Sequence, residues 1–161
     1  MAHPWPEPVE RVSAFLREAA AEARVEEFLA GSATAQEAAV AIGCDLDRIV
    51  KSLLFECDSR PVLVLVPGDR RADKAKVAAA AGATRASVAS PQWVTEMTGF
   101  EPGAVAPFPL ARVEHVFLDR ALLVHDRVWI GAGSPRHMVG LAPSELVRLA
   151  RATPFDVTSE D

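Results

Sequence analysis

Apolar residues at Val9, Val12, Leu16, Ala20 and Ala23 recur at helical spacing, with Glu10, Arg17 and Glu22 on the other side. This predicts a helix over about 7–24, followed by a short extended segment where Val25, Phe28 and Leu29 fall out of phase. Gly31-Ser32 interrupts the pattern. Thr34-Ala35-Gln36-Glu37 then forms a capping box, which starts a helix over 35–42 that Gly43 stops. Residues 49–57 read as a strand, so Ile49, Lys51, Leu53, Phe55 and Cys57 share one face. The turn Asp58-Ser59-Arg60-Pro61 links it to 62–66, which is apolar on both faces and therefore central in its sheet.

Further along, Asp73 caps a helix over 74–81 that ends at Gly82. Ser90-Pro91 opens another, with Trp93, Val94 and Met97 on its apolar side and Gly99 as its stop. Gly99 to Pro109 is a shaped loop, since two glycines and two prolines between Gly99 and Phe108 restrict its backbone. Strands follow at 113–118 and 128–131, then the loop 132–136 and a short strand over 137–141. Pro143 begins a closing amphipathic helix, and the tail from Thr153 is expected to fray. Hairpins without steady β–α alternation predict one α+β domain over 1–161. Its sheet is mixed, mostly antiparallel and partly barrel-like, with helices around it.

Composition narrows the function. Half of the 161 residues are hydrophobic and 24% are charged, as in a soluble globular protein. No apolar run approaches the ~20 residues that span a bilayer. The N-terminus lacks the basic and apolar regions of a signal peptide, so a cytoplasmic location without membrane attachment is expected. Cys44 and Cys57 form no Cys-x-x-Cys pair, and His3, His115, His125 and His137 are scattered, so no metal site is expected. A net charge of −5 excludes broad electrostatic binding of long nucleic acid. It leaves room for a local basic patch at Arg70, Arg71, Lys74 and Lys76, with Arg85 beyond.

Lys51 is the sharpest chemical signal. An ammonium on an apolar strand face must snorkel to water or meet an anion. Gly131-Ala132-Gly133-Ser134 offers exposed amides to a ligand, without the lysine of a P-loop. Ser134 and His137 could form a nucleophile and base, yet there is no Gly-x-Ser-x-Gly elbow and the sequence ties no acid to the histidine. Glu114 and His115 are adjacent strand positions and so point apart.

Several segments in order resemble the YbaK/EbsC family of aminoacyl-tRNA deacylases, which is related to the editing domain of bacterial prolyl-tRNA synthetases. They include Thr34-Ala35-Gln36-Glu37, Ile49-Val50-Lys51-Ser52-Leu53-Leu54-Phe55 and Val66-Pro67-Gly68-Asp69-Arg70-Arg71. They continue in Thr98-Gly99-Phe100-Glu101-Pro102-Gly103-Ala104-Val105-Ala106-Pro107-Phe108 and Ala132-Gly133-Ser134-Pro135-Arg136-His137. The likeness covers about 34–150.

The resemblance implies hydrolysis of the ester that joins a wrong, small amino acid (alanine, cysteine or serine) to a tRNA 3′ end, in trans to a synthetase. Lys51 takes the place of the family lysine, and amides of the glycine loop at Gly133 would stabilise the oxyanion. Thr34, Gly99, Gly103, Pro107, Phe108, Ser134 and His137 would bind substrate; Arg70, Arg71 and Lys74 would bind tRNA. No cofactor is implied. The partners implied are aminoacylated tRNA and an aminoacyl-tRNA synthetase. Lys51 is expected to anchor a terminal phosphate or ribose, with water or a substrate group attacking the ester. The family loop continues Pro-Phe-Gly, and here Pro109 follows Phe108. The alternative is a noncatalytic module that binds an aminoacyl-tRNA end or a synthetase.

Overall fold

The computed structural model describes residues 5–28 and 34–159. The expected break at Gly31-Ser32, Leu29 of the extended segment, and His3 lie outside them. Helix α1 covers Glu7–Glu18, with Pro8 in its first turn and Glu7 and Glu10 near its positive end. It stops six residues short of the expected 24, because Ala20 turns into the left-handed region at φ 51°. The chain is then drawn into β1 (Val25–Glu27), which pairs antiparallel with residues 137–139. That long-range pairing overrides the high intrinsic helix propensity of Ala20-Ala21-Glu22-Ala23.

Helix α2 (Ala35–Ile42) starts with half of its expected capping box: the Thr34 hydroxyl accepts from the Glu37 amide at 3.1 Å, while the Glu37 carboxylate accepts from that hydroxyl at 3.2 Å rather than from an amide, and Gly43 closes the helix at φ 83°. Strands β2 (Val50–Cys57) and β3 (Arg60–Pro67) form the hairpin. Asp58 and Ser59 both have positive φ at its turn, which suits the right-handed twist of the strands. The Asp58 carboxylate accepts the amides of Thr84 and Arg85, at 2.8 and 3.1 Å, and these bonds hold its pKa low.

Beyond β4 (Arg71–Ala72) come α3 (Lys74–Ala81), β5 (Ala86–Val88) and α4 (Pro91–Thr98), then the long loop, β6 (His115–Asp119) and β7 (Val128–Ser134). Next are β8 (His137–Leu141), α5 (Pro143–Ala150), β9 (Thr153–Phe155) and β10 (Thr158–Ser159). A five-stranded sheet has the order β5-β2-β3-β6-β9, beside a three-stranded sheet β1-β8-β7 and the pair β10-β4. Among the strand ladders of the described residues, only β3–β6 and β6–β9 are parallel. The architecture is α+β with mostly antiparallel sheets. A single parallel bridge from Ile49 to Trp129 links the two larger sheets without closing a full barrel.

Strand β3 is central, as its two apolar faces require. Val62, Val64 and Val66 pack with Phe55, Cys57, Val77 and Phe117, on the side of α3. Leu63 and Leu65 pack with Val9, Val12, Leu16 and Leu146, on the side of α1 and α5. No helix among the described residues is long and apolar enough to cross a membrane.

Two further expectations are corrected. Strand β7 runs through Ser134 with a bulge between Gly131 and Ser134, so the predicted loop 132–136 shrinks to a turn at Pro135-Arg136. The tail is not frayed through Ser159. Val157 and Thr158 are buried, and the buried Asp119 carboxylate accepts the Val157 amide at 3.0 Å and the Thr158 hydroxyl at 3.1 Å.

Candidate active site

A cleft of about 300 Å³ opens where β2 and β7 separate. The Ile49–Trp129 bridge marks one end of this separation, and β5 rejoins β2 only at Phe55. The edge of β2 at Val50 to Leu53 therefore forms one wall. Thr34, Ala35 and Ala38 of α2 form a second, and Gly103, Ala104 and Val105 of the long loop a third. Gly131, Ser134, His137 and Met138 of the β7–β8 hairpin complete it.

Lys51 is half-buried at this edge, and its ammonium donates to the Arg70 carbonyl at 2.6 Å. Burial lowers its pKa below the ordinary lysine value; nearby Asp69 opposes the shift and Arg71 adds to it. The lysine is thus not a free snorkelling side chain, and among the described residues no carboxylate lies within bonding distance of it. A carbonyl holds it, and an ammonium carries three donors, so one bond leaves two for a ligand.

His137 is 3% exposed, and its Nδ1 lies 2.6 Å from the Ser134 hydroxyl. The Ser134 oxygen also accepts the Arg136 amide at 3.0 Å, and the direction of its bond to Nδ1 follows the tautomer of the ring. Nε2 lies 3.5 Å from a Glu27 carboxylate oxygen and makes no hydrogen bond. Burial pushes the His137 pKa down, against the pull of Glu27 and with the push of Arg136, so the ring is neutral at pH 7. The acid that the sequence could not tie to this histidine is therefore Glu27, brought up by the pairing of β1 with β8. The Ser134–His137 bond lies within a tight turn, where the same hydroxyl oxygen accepts the Arg136 amide, so the hydroxyl serves that turn rather than an attack.

The remaining predicted residues divide by location. Thr34 and Gly103 reach the cleft, but Gly99, Pro107, Phe108 and Gly133 are not among its lining residues. Gly99 ends α4 at φ 82°, and its carbonyl accepts from Arg11 at 2.6 Å. Phe108 is buried against Phe15, with ring centroids 4.8 Å apart, and with Pro107 borders a separate groove beside α1 and α5. Gly133, at φ 98°, lies so close to α1 that an added Cβ would stand 2.9 Å from the Pro8 carbonyl carbon. Arg71 and Lys74 are exposed next to the turn that holds Lys51, and Arg70 lies within that turn.

The model of the aminoacyl-tRNA editing domain family matches residues 30–149, and every wall of the cleft falls within that span. The chain belongs to the aminoacyl-tRNA editing domain family. This editing domain is 40% identical over 123 residues to the uncharacterized protein YwhH of Bacillus subtilis, which covers 76% of the chain and 78% of that protein. It is 37% identical over 111 residues to a proline–tRNA ligase of Nitratidesulfovibrio vulgaris, covering 69% of the chain but 19% of the ligase. The chain thus spans about a fifth of that enzyme's length. A solved structure described as "a putative trans-editing enzyme for prolyl tRNA synthetase" superimposes with a TM-score of 0.90 at 33% identity, over 98% of this chain and 100% of the other.

Three cleft residues of this editing domain carried no usable signal in the sequence. Val105 and Met138 are ordinary apolar residues there. Ser52 sits inside an apolar strand next to the more conspicuous lysine, and only the open edge of β2 makes it a wall of the cleft.

Proposed function

We propose that the protein hydrolyses the ester between a small misattached amino acid (alanine, cysteine or serine) and the 3′-terminal ribose of tRNA, acting in trans. The observation that carries this reading is the convergence of Lys51, Gly103, Gly131 and His137 on one cleft of about 300 Å³ in a chain of the editing family. A volume near the lower end of the ~300–1,000 Å³ usual for ligand sites favours small acyl groups. Size exclusion of the larger, correct amino acid follows from such a pocket.

An aminoacyl ester is an activated acyl group. Water adds to its carbonyl carbon, the bond to the ribose oxygen breaks, and free amino acid and tRNA with a free hydroxyl leave. Lys51 holds the terminal phosphate or ribose with the donors that the Arg70 carbonyl leaves over, and main-chain amides of the glycine-bearing walls face the developing oxyanion. Arg70, Arg71 and Lys74 carry the incoming acceptor stem towards the cleft. A synthetase is the natural supplier of the mischarged tRNA, and the cytoplasm the place of action.

The test is a panel of aminoacyl-tRNAs incubated with wild type and with Lys51→Ala. Ester loss confined to small amino acids and dependent on Lys51 supports the reading. Tight binding without turnover would instead make the protein a noncatalytic module, and neither binding nor turnover would refute both.

A further inference from the structure

Ser52 has a hydroxyl oxygen that is fully buried and has no hydrogen-bond partner, although the residue borders the cleft. Its main chain is equally unpaired among the described residues. Ile49 accepts from Gly68 at 2.7 Å, so odd-numbered residues of β2 turn their amides and carbonyls towards β3. Pro61 and Pro67 of β3, which have no amide proton, stand opposite Glu56 and Val50, as this alternation requires. Even-numbered residues face the other way. Leu54 uses that side to accept from Ala89 at 3.0 Å, while β5 pairs with β2 only from Phe55 to Cys57. Ser52 therefore presents a carbonyl and an amide along an edge that no strand covers, with its unpartnered hydroxyl buried beside them.

Buried polar groups normally find a partner. We infer that Ser52 binds the α-ammonium of the aminoacyl group, with its hydroxyl and carbonyl oxygens as acceptors. This rests on the deacylase reading above and deepens it: the site selects an ester that carries a free amine next to its carbonyl. Lys51 points from the opposite face of the same strand. The ammonium of the substrate is thereby kept apart from the ammonium of the protein, and the scissile ester spans the strand edge between them.

The test compares wild type and Ser52→Ala on two esters: the aminoacyl-tRNA cleared fastest in the panel, and the α-hydroxyacyl-tRNA made from it by deamination. Wild type should prefer the amine. Ser52→Ala should lower kcat/KM for the aminoacyl ester about tenfold, the worth of a hydrogen bond to a charged group, and leave the hydroxy ester within about twofold. Its Tm should not fall, since the lost hydroxyl bonds nothing in the free protein. Equal slowing of both esters, or of neither, would overturn the inference while leaving the deacylase reading intact. A drop in Tm with uniform slowing would make Ser52 structural and overturn it as well. If wild type clears no ester at all, the functional reading itself fails and this inference with it.

Discussion

The Lys51 ammonium donates to the Arg70 main-chain carbonyl at 2.6 Å, which ties the charged residue of β2 to the turn between β3 and β4. The bond leaves the side chain oriented before any ligand arrives. Preorganisation of this kind lowers the ordering cost that a substrate would otherwise bear.

Replacing Lys51 by Met keeps the apolar stem and removes the charge. Stability should change by no more than about 1 kcal/mol, the net worth of one hydrogen bond offset by relief of desolvation. Deacylation should fall about a hundredfold. Urea unfolding beside single-turnover deacylation separates the two effects. A large loss of stability would make the lysine a structural residue.

His137 makes stability depend on pH. Its folded pKa lies below the ordinary 6.5, so the unfolded chain binds the proton more readily. Stability should hold above about pH 6.5 and decline as the pH falls through that value towards the depressed folded pKa. His137→Gln should flatten the decline. Thermal melts from pH 8 to pH 5 check this, and identical profiles for both proteins would count against it.

Gly133 and Gly103 should respond differently to alanine. Both have positive φ, 98° and 82°, but a Cβ at Gly103 meets nothing within 4 Å, whereas one at Gly133 meets Pro8. Gly103→Ala should cost about 1–2 kcal/mol from backbone strain alone. Gly133→Ala should cost more and loosen α1, visible as faster amide exchange over Glu7–Glu18. Equal costs would mean that α1 yields freely.

Asp119 should prove to be the tether of the tail. Its carboxylate accepts from the Ala121 and Val157 amides and the Thr158 hydroxyl, all within 3.1 Å. Asp119→Ala leaves buried donors unmade and should cost about 3 kcal/mol. Limited proteolysis should then cut near Thr153 to Ser159 in the variant and spare the wild type.

Much of the fold was legible because its signals are local. The caps at Thr34, Asp73 and Ser90 each satisfy an amide three residues ahead. The stops at Gly43, Gly82 and Gly99 each adopt positive φ. The β2–β3 hairpin follows from a two-residue alternation and one short turn. The motifs around Lys51 and the two glycine-bearing segments pointed to the editing family for the same reason: they are short strings of residues whose order is itself the signal.

Other features depend on partners distant in the chain, which no window of sequence contains. The end of α1 was decided by the pairing of Val25 with Val139, and the order of the tail by Asp119. Packing against α1 placed Gly133 at Pro8 and Phe108 on Phe15, away from the cleft. Glu27 came beside His137 only once β1 joined β8, and Ser52 became a cleft residue only because the edge of β2 was left uncovered. By itself the sequence determined the capped helices, the β2–β3 hairpin, the family and the lysine, since these rest on hydrogen bonds and periodicities spanning a few residues. Tertiary structure alone decided which glycines and which hydroxyls share the cleft with it and which acid stands behind His137, because burial and strand pairing join segments that are far apart along the chain.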